Sequence, residues 1–391
     1  MRLELRQRGL DQTLHGTYSL WHPQPFRDAR PAWCDEHPAL AGELLALADA
    51  EVEALNNEGN AARVFLARHL PELSALESLA DLPVCPATPR IEHGSRWAWE
   101  IPGRKQQQIE AFAAAARPSA MPVLDWCGGK GHLGRLLALQ WQLGASSLEI
   151  DPLLCHEGEQ LAARARVPQN FICQDALTAT NSLSPNQHAV ALHACGNLHR
   201  TLIRDGAEAG VARFDVAPCC YHRGVTDYYQ SLSGVLQTRL TRDDTRLAVT
   251  ETVTASPRLR RQRDKEMAWK LGFDTLRRAL TGEANYRSFK PVPAAWFRDD
   301  FMGFARQMAQ REGLAISSQT ALAEFEQAGW RRQREVMRLS IVRHAFRRSL
   351  EVWLVLDLAI FLEGQGYDVQ LGSFCARQLT PRNLLISAQR A

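Results

Sequence analysis

Three groups of side chains in this sequence have types and spacing suited to chemistry. The first is Asp125-Trp-Cys127-Gly128-Gly129-Lys130-Gly131-His132, an acid followed three residues later by a glycine cluster. The second is a set of acids, Glu149, Asp151 and Asp175, the last followed by Ala176. The third is His193-Ala-Cys195-Gly196 together with Cys219-Cys220-Tyr221-His222-Arg223, a collection of imidazoles and thiols. Glycine lets a turn take positive φ and lets a ligand approach the backbone, and a helix N-terminus behind the turn favours a negative group. Histidine titrates near neutrality and suits proton transfer, and a thiolate suits nucleophilic attack or metal binding.

The elements needed to position these groups are legible around them. Val123-Leu124 is a short apolar run ending at Asp125, and apolar positions 133, 136, 137 and 139 then fall largely on one helical face, which predicts strand, glycine turn, helix. Ser147 to Ile150 reads as a second strand, Asn170 to Leu177 as a third, His188 to Gly196 as a fourth and Arg213 to Arg223 as a fifth running into a polar turn. Helices over 157–165 and 198–210 separate them. Such alternation predicts an α/β fold with a doubly wound, Rossmann-like parallel sheet, whose ligands bind beyond the carboxyl ends of the strands. His193 to Gly196 and Pro218 to Arg223 are then expected to face one another across a pocket. A strongly apolar helix, Leu350 to Gly364, and two strands, Asp368 to Cys375 and Asn383 to Ala388, close the chain.

Charge placement chooses the ligand. Gly129-Lys-Gly-His-Leu-Gly134 formally matches a dinucleotide fingerprint. Asp125 argues against it, because an acid ending the first strand repels a pyrophosphate and suits a ligand with a cationic amino-acid end. Glu149 is placed to take a ribose diol, and Asp175 an adenine amino group. This combination fits S-adenosylmethionine (SAM) better than a nicotinamide dinucleotide. The cofactor-binding residues expected are Asp125, Cys127, Gly128, Gly129, Gly131, His132, Glu149, Asp151, Asp175, Ala176 and His193.

Composition excludes several classes. The chain has 391 residues, 45% apolar and 23% charged, with a net charge of +3, which fits a globular protein of one large domain or two to three modules. The nine cysteines form no CxxC pair, so a reduced, cytoplasmic protein is expected. The N-terminus lacks a signal-peptide pattern, and the most apolar run, Val352 to Leu362, contains Asp357 and is too short to span a bilayer. Residues 1–90 read as a helical module without nameable chemistry, and 83–102 as a Pro-rich connector. The core occupies 91–224 and is completed by 350–391. A basic, mostly helical insertion, 225–349, carries 23 Lys/Arg against 14 Asp/Glu, an excess of nine. In it, Arg258, Arg260, Arg261 and further arginine clusters alternate with Tyr286, Phe289, Trp296, Phe297 and Trp330. Arginines grip phosphates and aromatics stack bases, so RNA contact is expected there; a solvated helical face with core aromatics is the alternative. Lys105 and Gln108, one turn apart on a helix opening at Gly103, either point to the site or lie on a solvated face.

Leu124-Asp-Trp-Cys-Gly-Gly-Lys-Gly-His-Leu133, Leu192-His-Ala-Cys-Gly196 and Cys219-Cys-Tyr-His-Arg223 together resemble the methyltransferase-like 25 group, which includes the protein named for a glutathione S-transferase C-terminal domain. The His-x-Cys-Gly and Cys-Cys-x-His-Arg pair is also similar to the tRNA 2′-O-methyltransferases of the acceptor stem. The resemblance covers roughly residues 95–225 and the last 40. It implies a class I SAM-dependent methyltransferase, whose sheets end in a helix and an antiparallel hairpin. Residues 1–90 show none of the zinc-ligand spacing that the acceptor-stem enzymes carry.

Methyl transfer needs positioning and, for some acceptors, a base. His193, Cys195, Cys219, Tyr221 and His222 are the catalytic candidates, with Tyr221 able to stack a flipped base. Lys105, Arg223, Arg260 and Arg261 are the substrate-binding candidates. Three readings of the thiols stand open. Ala217-Pro-Cys219 looks like the nucleophile motif of RNA 5-methylcytosine enzymes; His193, Cys195, Cys219, Cys220 and His222 can hold zinc; or the cysteines pack beside the pocket. No resident metal is expected. The function expected is methylation of tRNA or rRNA, with the acceptor held between the fourth and fifth strand ends and the basic insertion. The alternatives are a protein or small-molecule methyltransferase, or a SAM-binding module without catalysis.

Overall fold

Val123 to Trp126 form β1, buried along its whole length with Asp125 included, as in a strand covered on both faces. Six further strands follow: β2 (Ala145–Glu149), β3 (Gln169–Cys173), β4 (His188–Cys195), β5 (Arg213–Cys219), β6 (Tyr367–Ser373) and β7 (Leu384–Arg390). The computed structural model describes residues 2–88, 94, 96–234, 236–250 and 256–391. Residues 89–93 and 95 of the expected connector, and 235 and 251–255 of the expected insertion, lie outside the described residues.

The strand order is β3-β2-β1-β4-β5-β7-β6. The first five strands are parallel, and β7 runs antiparallel to both β5 and β6. Strand order reverses between β1 and β4, so the carboxyl ends of these two strands flank the crevice where such sheets take ligands. The helices Gly103–Ala115 and His132–Trp141 cover one part of the sheet, with Phe112, Leu133, Leu136 and Leu137 packed against Val123, Ala145 and Val190. This is the doubly wound architecture expected, ending in the expected hairpin.

The chain divides into two compact units. The first comprises Met1–His15, Ala75–Thr254 and Arg347–Ala391, and contains the sheet. The second comprises Gly16–Ser74 and Ala255–Phe346 and is helical. The expected 1–90 module is therefore shared between the two, and the described residues among 225–250 of the expected insertion belong to the unit that holds the sheet. In the second unit, Trp269, Phe273, Phe297, Phe301, Phe304 and Met308 form a core with Phe289 and Trp296 against it. No helix among the described residues is long and apolar enough to cross a membrane.

Within the first unit, the apolar helix starts slightly earlier than expected, at Arg347, and runs to Gly364. Asp357, at its middle, is fully buried. The carboxylate accepts from Tyr229 OH at 2.8 Å, from the backbone N–H groups of Leu232 and Ser233 at 3.0 and 2.9 Å, and from the hydroxyls of Ser231 and Ser233. One acid thus fixes the segment 229–233 that follows β5. Asp357→Ala strands several buried donors at once and is expected to lower unfolding free energy by roughly 3–5 kcal/mol in urea titration.

Candidate active site

Beyond β1 the chain takes left-handed backbone at Cys127 (φ +58°), Gly129 (φ +58°) and Gly131 (φ +64°), and then enters the helix at His132. Cys127 holds a conformation that glycine normally supplies. Asp125 lies under this loop with 2% of its surface exposed. Its Oδ2 accepts from the backbone N–H of Gly134 at 3.0 Å and from the Ser147 hydroxyl at 3.4 Å. Gln169, at the start of β3, donates to Ser147 Oγ and to the Gly131 carbonyl, both at 2.8 Å. Burial pushes the Asp125 carboxyl up to about 6, against the lowering effect of these hydrogen bonds. Gln169 is absent from the residues the sequence singles out. It reaches the loop only through the β2–β3 register, which no local pattern records.

Glu149 closes β2 beside the loop. Its carboxylate accepts from the N–H of Gly129 at 3.0 Å, of Ile150 at 2.9 Å and of Asp151 at 3.1 Å. A Cβ placed on Gly129 would meet nothing within 4 Å, so the loop crest is open space beside an acid. That is the cradle a ribose-bearing ligand needs. Asp151 sits at the same edge, but its side chain caps the helix Pro152–Ala165 by accepting from Leu153 N–H at 2.9 Å. Asp175 similarly accepts from Leu177 N–H at 2.9 Å, and Ala176 is buried.

His132 and Arg135 form a second pair the sequence half-reveals. Arg135 is fully buried and donates to His132 Nδ1 at 2.6 Å and to the Trp97 and Lys130 carbonyls. Burial, with Arg135 and nearby lysines, pushes His132 down to about 3, so the ring is neutral and its proton sits on Nε2. Lys130 instead turns to Glu157 (2.7 Å) and Glu100 (3.5 Å).

The ends of β4 and β5 come together as expected. His193 takes φ +72° and its Nε2 lies 3.1 Å from Gln108 Oε1, so the helix Gly103–Ala115 does reach the strand ends. Cys195 pairs with Cys219 across the two strands, beyond a bulge after Leu192, with their sulfurs 3.4 Å apart. Gly196 (φ +59°) is demanded by crowding, since a Cβ there would overlap the Arg223 carbonyl. Tyr221 departs from expectation. It is 1% exposed, packed edge-on against His199 at 5.5 Å, and cannot offer a face to a base. His222 is half-buried with its Nδ1 unpartnered. In the second unit, Arg260 pairs with Glu53 at 2.9 Å while Arg261 is exposed, and Phe297, Phe289 and Trp296 are core residues rather than a stacking surface.

Cations surround the β4–β5 mouth. Lys105 and Arg382 act on His193, and Arg246, Arg242 and Arg223 act on His222. Desolvation comes first in holding both imidazoles below their ordinary value; Cys220 opposes it, ahead of the arginines at His222 and behind Lys105 and Arg382 at His193, and both rings are neutral near pH 7.

The family described as "Methyltransferase domain" matches residues 104–225, the stretch that builds the loop and both strand ends. Residues 104–225 thus carry a methyltransferase domain, set in a mostly parallel seven-stranded sheet. Solved structures are similar over parts of it. One, concerning conversion of a disulfide bond into a thioacetal group during echinomycin biosynthesis, is 15% identical with a TM-score of 0.22, over 28% of this chain and 55% of that one. A TehB-like SAM-dependent methyltransferase from Corynebacterium glutamicum is 14% identical with a TM-score of 0.24, over 34% and 78%. Magnesium protoporphyrin IX methyltransferase from Synechocystis, with bound SAH, is 11% identical with a TM-score of 0.31, over 74% and 84%. The chain thus spans about half the length of the first of these. At such scores the likenesses carry no argument about substrate. No curated protein matches the chain.

The raised Asp125 carboxyl gives the methyltransferase a testable pH response. If Asp125 faces a ligand's ammonium, protonation of the acid below about 6 removes that attraction while the ammonium stays charged below roughly 7.7. SAM affinity measured by calorimetry is expected to fall about tenfold from pH 7 to pH 5. Asp125→Asn should bind weakly at both pH values; a wild-type affinity flat across this range would separate Asp125 from ligand charge.

Proposed function

We propose that this methyltransferase acts on RNA, tRNA or rRNA, presenting the acceptor at the carboxyl ends of β4 and β5. The observation that carries this reading is a set of five cations near the two imidazoles at that mouth, Lys105 and Arg382 acting on His193 and Arg223, Arg242 and Arg246 on His222. Lys105, Arg223, Arg242 and Arg246 are exposed, so their charge is available to a polyanion. The second unit adds exposed Arg258, Arg261 and Arg263 on the helix Pro257–Thr281. Phe297 lies in a core with Phe289 and Trp296 packed against it, while Tyr286 and Trp330 are half-buried.

Asp125, Glu149 and the open Gly129 crest are the residues proposed to hold SAM, with His132 and Asp175 beside them. Bound SAM supplies a methyl group on a positively charged sulfur, ready for in-line displacement. The chain's own part is then positioning and proton removal. The Gln108 carbonyl oxygen accepts the His193 Nε2–H, which leaves Nδ1 with its lone pair free to take a proton. His193 Nδ1 would take the proton that the acceptor's oxygen or nitrogen loses on methylation, while Asp125 and Glu149 would hold the cofactor that supplies the methyl group.

His193→Gln is expected to lower kcat roughly 100-fold or more with little change in SAM affinity. For the acceptor, a gel shift with tRNA or rRNA should weaken steeply as salt rises. Arg242→Ala with Arg246→Ala should reduce the slope of log affinity against log salt by about one per lost phosphate contact. Absence of a shift at low salt sinks the RNA reading and favours a protein or small-molecule acceptor. Nucleoside mass spectrometry of a strain lacking the protein would identify the methylated atom.

A further inference from the structure

The methyl-transfer chemistry just described leaves three thiols unused, and they are grouped. The Sγ atoms of Cys195, Cys219 and Cys220 all lie within 4.8 Å of one another. Ligands at about 2.3 Å from a tetrahedral zinc ion sit roughly 3.8 Å apart, so the cluster is already near the size of a three-sulfur face. Its other hydrogen-bond acceptors are weak: the His193 carbonyl, 3.4 Å from Cys195 Sγ, and the Ala194 carbonyl, 3.8 Å from Cys219 Sγ.

The backbone holds this arrangement at a cost. The bulge after Leu192 brings Cys195 opposite Cys219, and Cys220 takes φ +46°. Gly196 N–H donates to the Cys219 carbonyl at 3.0 Å and Asn197 N–H to the Arg223 carbonyl at 3.1 Å, which staples the two strand ends around the sulfurs. A cysteine that only fills space needs none of this, since it packs as a small hydrophobe wherever there is room. Strained backbone of this kind collects at functional sites.

In the turn that follows β5, His222 keeps a buried Nδ1 without a hydrogen-bond partner. Three thiolates on a divalent ion leave one net negative charge, and Arg223 stands beside it.

We propose that Cys195, Cys219 and Cys220 bind a soft divalent metal ion, zinc in the first place, as three thiolate ligands with one coordination position left over. Three protein ligands and an open position is the arrangement of zinc sites that take a water or substrate, and the leftover position falls to a solvent oxygen. Binding displaces the protons that Cys195 and Cys219 hold, so uptake of the ion releases acid. The site stands whether or not the acceptor is RNA.

The test uses the full chain, purified with reductant and without chelator. Elemental analysis should find about one zinc per chain that survives dialysis, and zinc added to chelator-stripped protein should release protons. Cobalt in its place should show thiolate-to-metal charge-transfer absorption, reduced by roughly a third in Cys195→Ser. Cys195→Ser and Cys220→Ser should each weaken zinc affinity by more than the roughly 100-fold that outer-shell partners are worth. Cys173→Ser, at an exposed cysteine outside the group, should bind zinc as the native chain does. SAM titration of each variant confirms that it is folded. Zinc below about one-tenth per chain that added zinc does not restore overturns the proposal, as does unchanged zinc affinity in Cys195→Ser. So does a reduced, metal-free protein whose Cys195 and Cys219 are recovered as a disulfide after air exposure and never as a metal complex.

Discussion

One carboxylate oxygen, Asp125 Oδ2, joins the end of β1, the glycine loop and the first turn of the following helix. It accepts from Gly134 N–H and Ser147 Oγ, and Gln169 braces Ser147 from the next strand but one. Everything at the cofactor end depends on that oxygen. The loop crest at Gly129 can be bare only because its base is tied down from inside, and Glu149 can grip the Gly129 N–H only because the crest is held beside β2. Burial costs the acid its easy ionisation, which is the opposing side of the same arrangement.

The acceptor end obeys a different constraint, steric rather than electrostatic. Two adjacent strands finish within van der Waals reach, and Gly196 is the residue that permits it. Once the ends are stapled, His193 is directed toward Gln108, the thiols are pressed together and Tyr221 is driven into the core. The same crowding therefore orients His193, the proposed base, creates the sulfur cluster and buries Tyr221.

Charge is distributed unevenly for reasons of solvation. Arg135 and Arg277 are buried and answered by carbonyls, an imidazole or carboxylates. The cations at the β4–β5 mouth are mostly exposed, where they retain a field over solvent. A count of arginines in 225–349 cannot separate these populations, which is why the residue tally there overstated what is free to meet a partner.

The sequence by itself determined the sheet and the cofactor loop. Short apolar runs ending in acids, glycines at fixed offsets and an apolar period behind them are local patterns, and local patterns are set by backbone conformation and burial of neighbouring residues. Asp125, Glu149 and the facing of His193 against the Cys219 turn were legible for that reason. The tertiary structure decided the rest. Gln169 under the loop, Arg135 on His132, Asp357 as the anchor of 229–233, and the burial of Tyr221 all arise between residues brought together by strand register or helix packing. Asp151 shows the limit most clearly: an acid at a strand end has the same type and spacing whether it meets a ligand or caps a helix, and only the geometry of its carboxylate tells them apart.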